Sequence, residues 1–236
     1  MTQFFIEPNW PAPANVKAYT TLRDSGVSTL NKNNRIDLDR LMQLLGLPQK
    51  PIKINQTHST IALAALPENC NKEADAVFTN QPNQVCLVST ADCLPILVTN
   101  RQGSIAAAIH AGWRGLAKGI ISHTLQTLNL PGADLLAWLG PAISQPCYEV
   151  GDEVREQFLA TYPASISAFI PSIQGHWLVD LYAIARLQLA QLGVGAIYGG
   201  EYCTFSDPAR FFSYRRDGKI LGSMATLIWI KTLSKE

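Results

Sequence analysis

Three polar segments interrupt apolar runs, and each holds side chains able to do chemistry. INQTHST contains His58, LVSTADCLPILV contains Asp92 and Cys93, and AAAIHAGWRGLAKG contains His110, Trp113 and Arg114. Each has the form of a strand, then a reactive residue, then a turn or helix signal. Strand ends are where α/β proteins present reactive groups. His58 and Cys93 lie 35 residues apart, and Cys93 and His110 lie 17 apart. Zinc knuckles place their ligands in close pairs on short loops, and the chain has no CxxC pair. The wide spacing is that of a site assembled from separate strands. A His-Cys-His set holds one ion and leaves a fourth position open for water, the pattern of a catalytic zinc rather than a structural one.

The same residues also fit a thiolate nucleophile, with Cys93 attacking and His58 or His110 as base. Asp92 works against that reading, because a neighbouring negative charge raises a thiol pKa. Zinc instead deprotonates a coordinating thiol outright. A blander reading also stands: a Cys between apolar residues is usually a small core hydrophobe. Four His and five Cys are too few for a centre of several copper ions bound mainly by imidazole. Cys70, Cys86, Cys147, Cys203, His123 and His176 read as packing or surface residues.

Charged residues make up only 16% of the 236-residue chain, so clustered arginines stand out. Arg114 follows HAGW in a Gly-bounded turn at a helix start, where free N–H groups and a planar guanidinium both suit an anion. Arg215 and Arg216 lie in FFSYRRDG, and Arg23 in TTLRDSGVS. Trp113, Phe211, Phe212 and Tyr214 lie in the same segments as these arginines, and aromatics are more often core than ligand-binding. The net charge of +1 gives no long-range pull toward nucleic acid or a membrane surface. No window reaches the roughly 18 apolar residues of a membrane span. The opening MTQFFIEPNWPAPANV lacks the basic and apolar regions of a signal peptide. With an odd number of Cys and a chain long enough to need no disulfide, a cytoplasmic location is expected. No residue pattern fixes an oligomeric state.

The elements that must position these residues alternate in type. Strands are expected at Val16–Thr21, Pro51–His58, Thr60–Leu66, Asp75–Thr79, Val85–Ala91, Leu94–Thr99, Ile105–Ala111, Leu135–Leu139, Ala196–Tyr198 and Met224–Ile230. A helix is expected at Leu38–Leu45, capped by Asp37, striped by Leu38, Leu41, Met42 and Leu45, and stopped by Gly46 and Pro48. Further helices are expected at Leu116–Leu128, Glu153–Tyr162 and Asp180–Leu192 from their apolar spacing. Strands cluster early and helices come later, which favours a mixed α/β (α+β) fold over a doubly wound one. Composition does not shift along the chain, so a single domain over 1–236 is expected.

The stretches TADCLPILV, AAAIHAGWRGLAKGI, LGPAISQPCYEVGDEV and FFSYRRDGKILGSMATLIWI, with QTHS and ADAVFTN, closely resemble the YfiH-like family. That family is also called the laccase-domain or multi-copper polyphenol oxidase family. The resemblance runs from about Pro8 to Ile230. It implies a four-layer α/β/β/α sandwich with mixed sheets and one catalytic zinc on His58, Cys93 and His110. It also implies phosphorolysis of adenosine, inosine, guanosine and methylthioadenosine, and hydrolytic deamination of adenosine. Purine nucleosides and phosphate are then the expected partners. Arg23, Arg114 and Arg215 are the candidates to hold phosphate, Tyr214 to stack on the base, and Asp92 or Asp75 to shuttle a proton. Alternatives are a cysteine- or zinc-dependent amidase editing peptidoglycan precursors, and copper-dependent polyphenol oxidation, which the ligand count disfavours. One departure stands out: after GVS, where Ser25 replaces the usual Gly, the segment TLNKNNRIDLDRL is much shorter than in the family.

Overall fold

The computed structural model describes residues 4–28, 36–218 and 222–232. The shortened segment after Ser28 falls at 29–35, outside the described residues.

In chain order the first elements are β1 (Phe5–Ile6), β2 (Val16–Thr21), α1 (Leu38–Leu45), β3 (Ala62–Ala64), β4 (Ala76–Thr79) and β5 (Val85–Thr90). Then come β6 (Leu94–Asn100), β7 (Ala106–Ala111), α2 (Trp113–Lys118), α3 (Ile120–Leu128), β8 (Leu135–Leu139) and β9 (Glu149–Gly151). The remainder are α4 (Asp152–Thr161), β10 (Phe169–Pro171), β11 (His176–Val179), α5 (Leu181–Gln191), β12 (Ala196–Gly199), α6 (Tyr214–Asp217) and β13 (Met224–Ile230). One sheet has the order β1-β2-β13-β5 and is antiparallel. The larger sheet, β12-β8-β6-β7-β4-β3, is mixed, with parallel pairs at both edges. A small third sheet has the order β10-β11-β9.

Alternate residues along the central strands enter different cores, as the period of two dictates. Val85 and Leu87 of β5 face α1 with Ala225, Leu227 and Trp229 of β13. Cys86 and Val88 of β5 face the other way, with Ile228, into a core shared with Val77, Leu97, Ala108 and Trp138 of the larger sheet. Leu94, Ile96, Val98 and Ile109 leave that sheet's opposite face and pack on Leu116, Ile120, Phe158 and Ile184. The result is a mixed α/β sandwich of four layers, helix, sheet, sheet, helices. Burial of both sheets on both faces explains why their strands read as near-continuous apolar runs. Among the described residues no helix is long and apolar enough to cross a membrane.

Helix α1 has the expected bounds: Asp37 accepts the Asp39 and Arg40 N–H groups, and Gly46, at φ 60°, ends it. The single helix expected over Leu116–Leu128 is two helices. Gly119, at φ 89°, closes α2 and opens α3, a conformation that breaks a helix at little cost in Gly. The run expected as a strand at Pro51–His58 contributes only isolated bridges, Ile52 to Cys86 and Asn55 to Glu73. The polar loop before β13 contains α6, capped by the Ser213 side chain on the Arg216 N–H.

Candidate metal centre and its cavity

Strand register assembles the site. β7 runs antiparallel to both β4 and β6, so its C-terminal end lies beside their N-terminal ends. Leu94 pairs with Ala111 and Pro95 with His110, which sets Cys93, just before β6, next to the end of β7. The His110 N–H donates to the Asp75 carbonyl at 2.7 Å, which sets Asp75, just before β4, on the other side. Three adjacent strands thus deliver Cys93, His110 and Asp75 in a row.

His58 arrives differently. It lies not at a strand end but in an irregular segment, at φ 60°. Asp75 holds that segment in place. Its buried carboxylate accepts the backbone N–H groups of Thr57 at 3.2 Å, His58 at 3.0 Å and Ser59 at 2.5 Å, and the Ser59 hydroxyl at 2.7 Å. The same carboxylate lies 2.7 Å from His110 Nδ1. An Nδ1–H donated to Asp75 leaves the Nε2 lone pair for a metal, the carboxylate–histidine pairing usual in zinc sites.

The His58, Cys93 and His110 donor atoms all lie within 4.8 Å of one another. Cys93 Sγ is 3.7 Å from His58 Nε2. Among the described residues this is the one cluster of three or more His, Cys, Asp or Glu that can hold an ion. Gly112 makes room for it: a Cβ there would stand 2.5 Å from His58 Cδ2 and 3.0 Å from Cys93 Sγ. Two imidazoles and a thiolate with an orienting carboxylate fit a metal ion of borderline softness.

Electrostatics bind the cluster together. Burial opposes ionisation of Cys93, but the His110 and His58 rings outweigh it and bring the thiol down to about 6. Burial likewise opposes the charged form of His110, yet Cys93 and Asp75 raise its pKa. Burial also works against the Asp75 carboxylate, and hydrogen bonds from His110 and Ser59 overcome it, holding it at about 2.

The centre opens into a cavity of about 540 Å³, whose walls include His58, Asp92, Cys93, His110, Arg114, Tyr214 and Arg215. Arg114 is exposed, with its guanidinium 4.4 Å over the Trp113 ring. Arg215 donates to the Glu149 carbonyl at 3.0 Å and lies 5.1 Å over the Tyr148 ring. Arg23 and Asp92 are held by contacts of their own. Arg23 is not among the lining residues: it bonds Asp217 at 3.2 Å and covers Phe212, bracing the loop that carries Arg215. Both Asp92 oxygens accept hydrogen bonds. One oxygen accepts from Thr204 Oγ1 at 2.6 Å, the other from Ser213 Oγ at 3.0 Å and the Arg215 N–H at 2.7 Å. Of the other aromatics, Trp113 lines the cavity, whereas Phe211 and Phe212 are core.

Tyr148 was not singled out by the sequence. Its ring is part of the cavity wall, and burial together with the Cys93 charge raises its pKa, so its hydroxyl stays a donor. Its only signal was an aromatic directly after Cys147 in a turn rich in Pro and Ser.

The chain matches the family model described as multi-copper polyphenol oxidoreductase laccase over residues 20–231. It is 43% identical to a Haemophilus influenzae protein named purine nucleoside phosphorylase, over 96% of this chain and 99% of that one. It is 42% identical to the Escherichia coli protein named purine nucleoside phosphorylase YfiH, over 95% and 98%. A Neisseria meningitidis protein of known crystal structure superposes with a TM-score of 0.90 at 41% identity, over 98% of this chain and all of that one.

Proposed function

The chain belongs to the family described as multi-copper polyphenol oxidoreductase laccase, and from that premise we propose that it is a zinc-dependent purine nucleoside phosphorylase that also deaminates adenosine. The observation that carries this reading is a single His-Cys-His cluster opening into a cavity with two guanidinium groups and aromatic walls. Relatives named purine nucleoside phosphorylase cover nearly the whole chain. One cluster of three donors supports one ion rather than several coppers.

A zinc ion held by His58, Cys93 and His110 would supply Lewis acidity and water of lowered pKa. The chain's own residues do the rest. Arg114 and Arg215 flank the cavity as planar forks for phosphate. Phosphate attacks C1′ of the ribose, and the C1′–N9 bond breaks as the purine leaves. Tyr148 and Tyr214 offer faces to the base. The protonated Tyr148 hydroxyl donates a hydrogen bond where negative charge develops on the departing purine. Asp92 acts by position, fixing the Arg215 backbone and the Thr204 loop against the cavity. Adenosine, inosine, guanosine and methylthioadenosine all present the purine and C1′ that this arrangement addresses. Deamination uses the same base position, with water attacking C6 and ammonia leaving.

Incubation of the zinc-loaded protein with adenosine and phosphate, followed by chromatography, tests the reading. Adenine reports phosphorolysis, and inosine followed by hypoxanthine reports deamination. Absence of all three overturns it. The low Cys93 pKa favours one rival, a cysteine amidase acting on a peptidoglycan precursor. Such an enzyme survives chelation and is lost to a thiol alkylator, whereas the proposed one loses turnover on chelation.

A further inference from the structure

Behind the cavity wall, two cysteines outside the metal cluster come together. Cys147 closes a tight turn, its N–H donating to the Ser144 carbonyl at 3.0 Å. Cys203 approaches the same turn from the loop after β12. Ala142 and Cys203 form an isolated parallel bridge, and the Ser144 N–H donates to Cys203 Sγ at 3.4 Å. Ser144 thus touches both cysteines, its carbonyl accepting from the Cys147 N–H and its N–H donating to the Cys203 sulfur. Both cysteines are free and partly buried. Each precedes a residue that shapes the cavity: Tyr148 lines it, and Thr204 holds Asp92.

The two thiols are unlike. Burial opposes ionisation of Cys203, but hydrogen bonds from Ser144 and Ser206 outweigh it and bring the thiol down to about 7. Burial raises the pKa of Cys147, and the adjacent Cys203 raises it further. A thiolate beside a neutral thiol is the pairing of an attacking and a resolving cysteine. Cys203 also lines a separate open groove of about 460 Å³ with Arg186, Glu201 and Tyr202, which gives a small oxidant access to it.

We propose that Cys147 and Cys203 are a peroxide-oxidisable dithiol whose disulfide ties the Tyr148 wall of the cavity to the Thr204 loop. The Cys203 thiolate attacks one oxygen of hydrogen peroxide, the O–O bond breaks, and the released hydroxide takes a proton and leaves as water. Cys203 is then a sulfenic acid. The Cys147 sulfur displaces its hydroxyl group, which leaves with the Cys147 proton as a second water, and the S–S bond forms. Two electrons from the two thiols reduce one peroxide. A reductant thiol reverses the bond by exchange. In a reducing compartment such a bond is regulatory rather than structural.

The test is peptide mapping of the intact protein after graded hydrogen peroxide and alkylation of the remaining thiols. The exposed Cys70 serves as the internal reference. The expected result is a linked peptide pair carrying Cys147 and Cys203, two hydrogens lighter than the sum, formed before Cys70 is oxidised and reversed by dithiothreitol. In Cys147→Ser the link is lost and Cys203 proceeds to the sulfinic acid. Two results overturn the proposal: Cys203 of the unaltered chain going to the sulfinic acid without a link, or both cysteines remaining alkylatable when Cys70 is fully oxidised.

Discussion

At the scale of single residues, Asp75 does more than any ligand. One buried carboxylate fixes the His58 segment through backbone N–H groups and the His110 ring through Nδ1. Replacing it by Ala strands part-buried donors, at roughly 1–3 kcal/mol, and frees the His110 ring and the His58 backbone. Asp75→Ala is expected to lower zinc affinity about 10–100-fold, measured by competition with a chromogenic chelator. The carboxyl pKa lies below its unfolded value of 3.8. Its stabilising contribution is therefore complete above about pH 4 and is lost as pH falls toward about 2. Acid unfolding of the unaltered chain should steepen in that window, and that of Asp75→Ala should not. Gly112 is as demanding for a steric reason. Gly112→Ala drives a Cβ against the His58 ring, and the expected outcome is loss of bound zinc in a protein that still folds, checked by metal analysis and circular dichroism.

At the scale of elements, the site is built from three strand ends and one irregular turn. Helix α1 was legible because its apolar stripe, its Asp37 cap and its Gly46 stop agree. The central strands were legible as buried apolar runs, and Cys93 and His110 followed as the polar residues at their ends. His58 was chosen for the same reason, yet an Asp75-bound turn holds it rather than a strand. A single sequence does not record that a carboxylate 17 residues on will collect three backbone N–H groups. The split between α2 and α3 was missed because Leu116, Ile120 and Ile121 keep helical spacing through Gly119. The third sheet was missed because strands of three or four residues are too short to show a period. Gly119→Ala would force a side chain into φ 89° and against Ser122 Oγ and Tyr162 Oη, each at 2.9 Å. It should cost roughly 1 kcal/mol or more, read as a lowered Tm with zinc content unchanged. Arg114, in the first turn of α2, lays its guanidinium over the Trp113 ring. Arg114→Ala is expected to raise the KM for phosphate at least tenfold while adenosine deamination changes little; equal losses in both would assign Arg114 to structure instead.

At the scale of the whole molecule, the four layers separate rigidity from recognition. Ile109 and Ile96 are fully buried against helices on one face of the sheet whose strand ends carry Cys93 and His110. That packing holds the strand ends still, as a preorganised metal site requires. The cavity's outer wall is built instead from loop and α6 residues tied back through Asp92, Arg216 and Asp217. A net charge of +1 gives the molecule no long-range field to steer an anion, so in the proposed function selection falls to local groups, chiefly Arg114 and Arg215. The central claim joins the metal centre to nucleoside chemistry, and one paired measurement tests it: zinc content and adenine release from adenosine and phosphate, for the unaltered chain and for His110→Ala. The account predicts about one zinc per chain with adenine formed, and both lost together in His110→Ala. Undiminished adenine release from a zinc-free His110→Ala protein would contradict it.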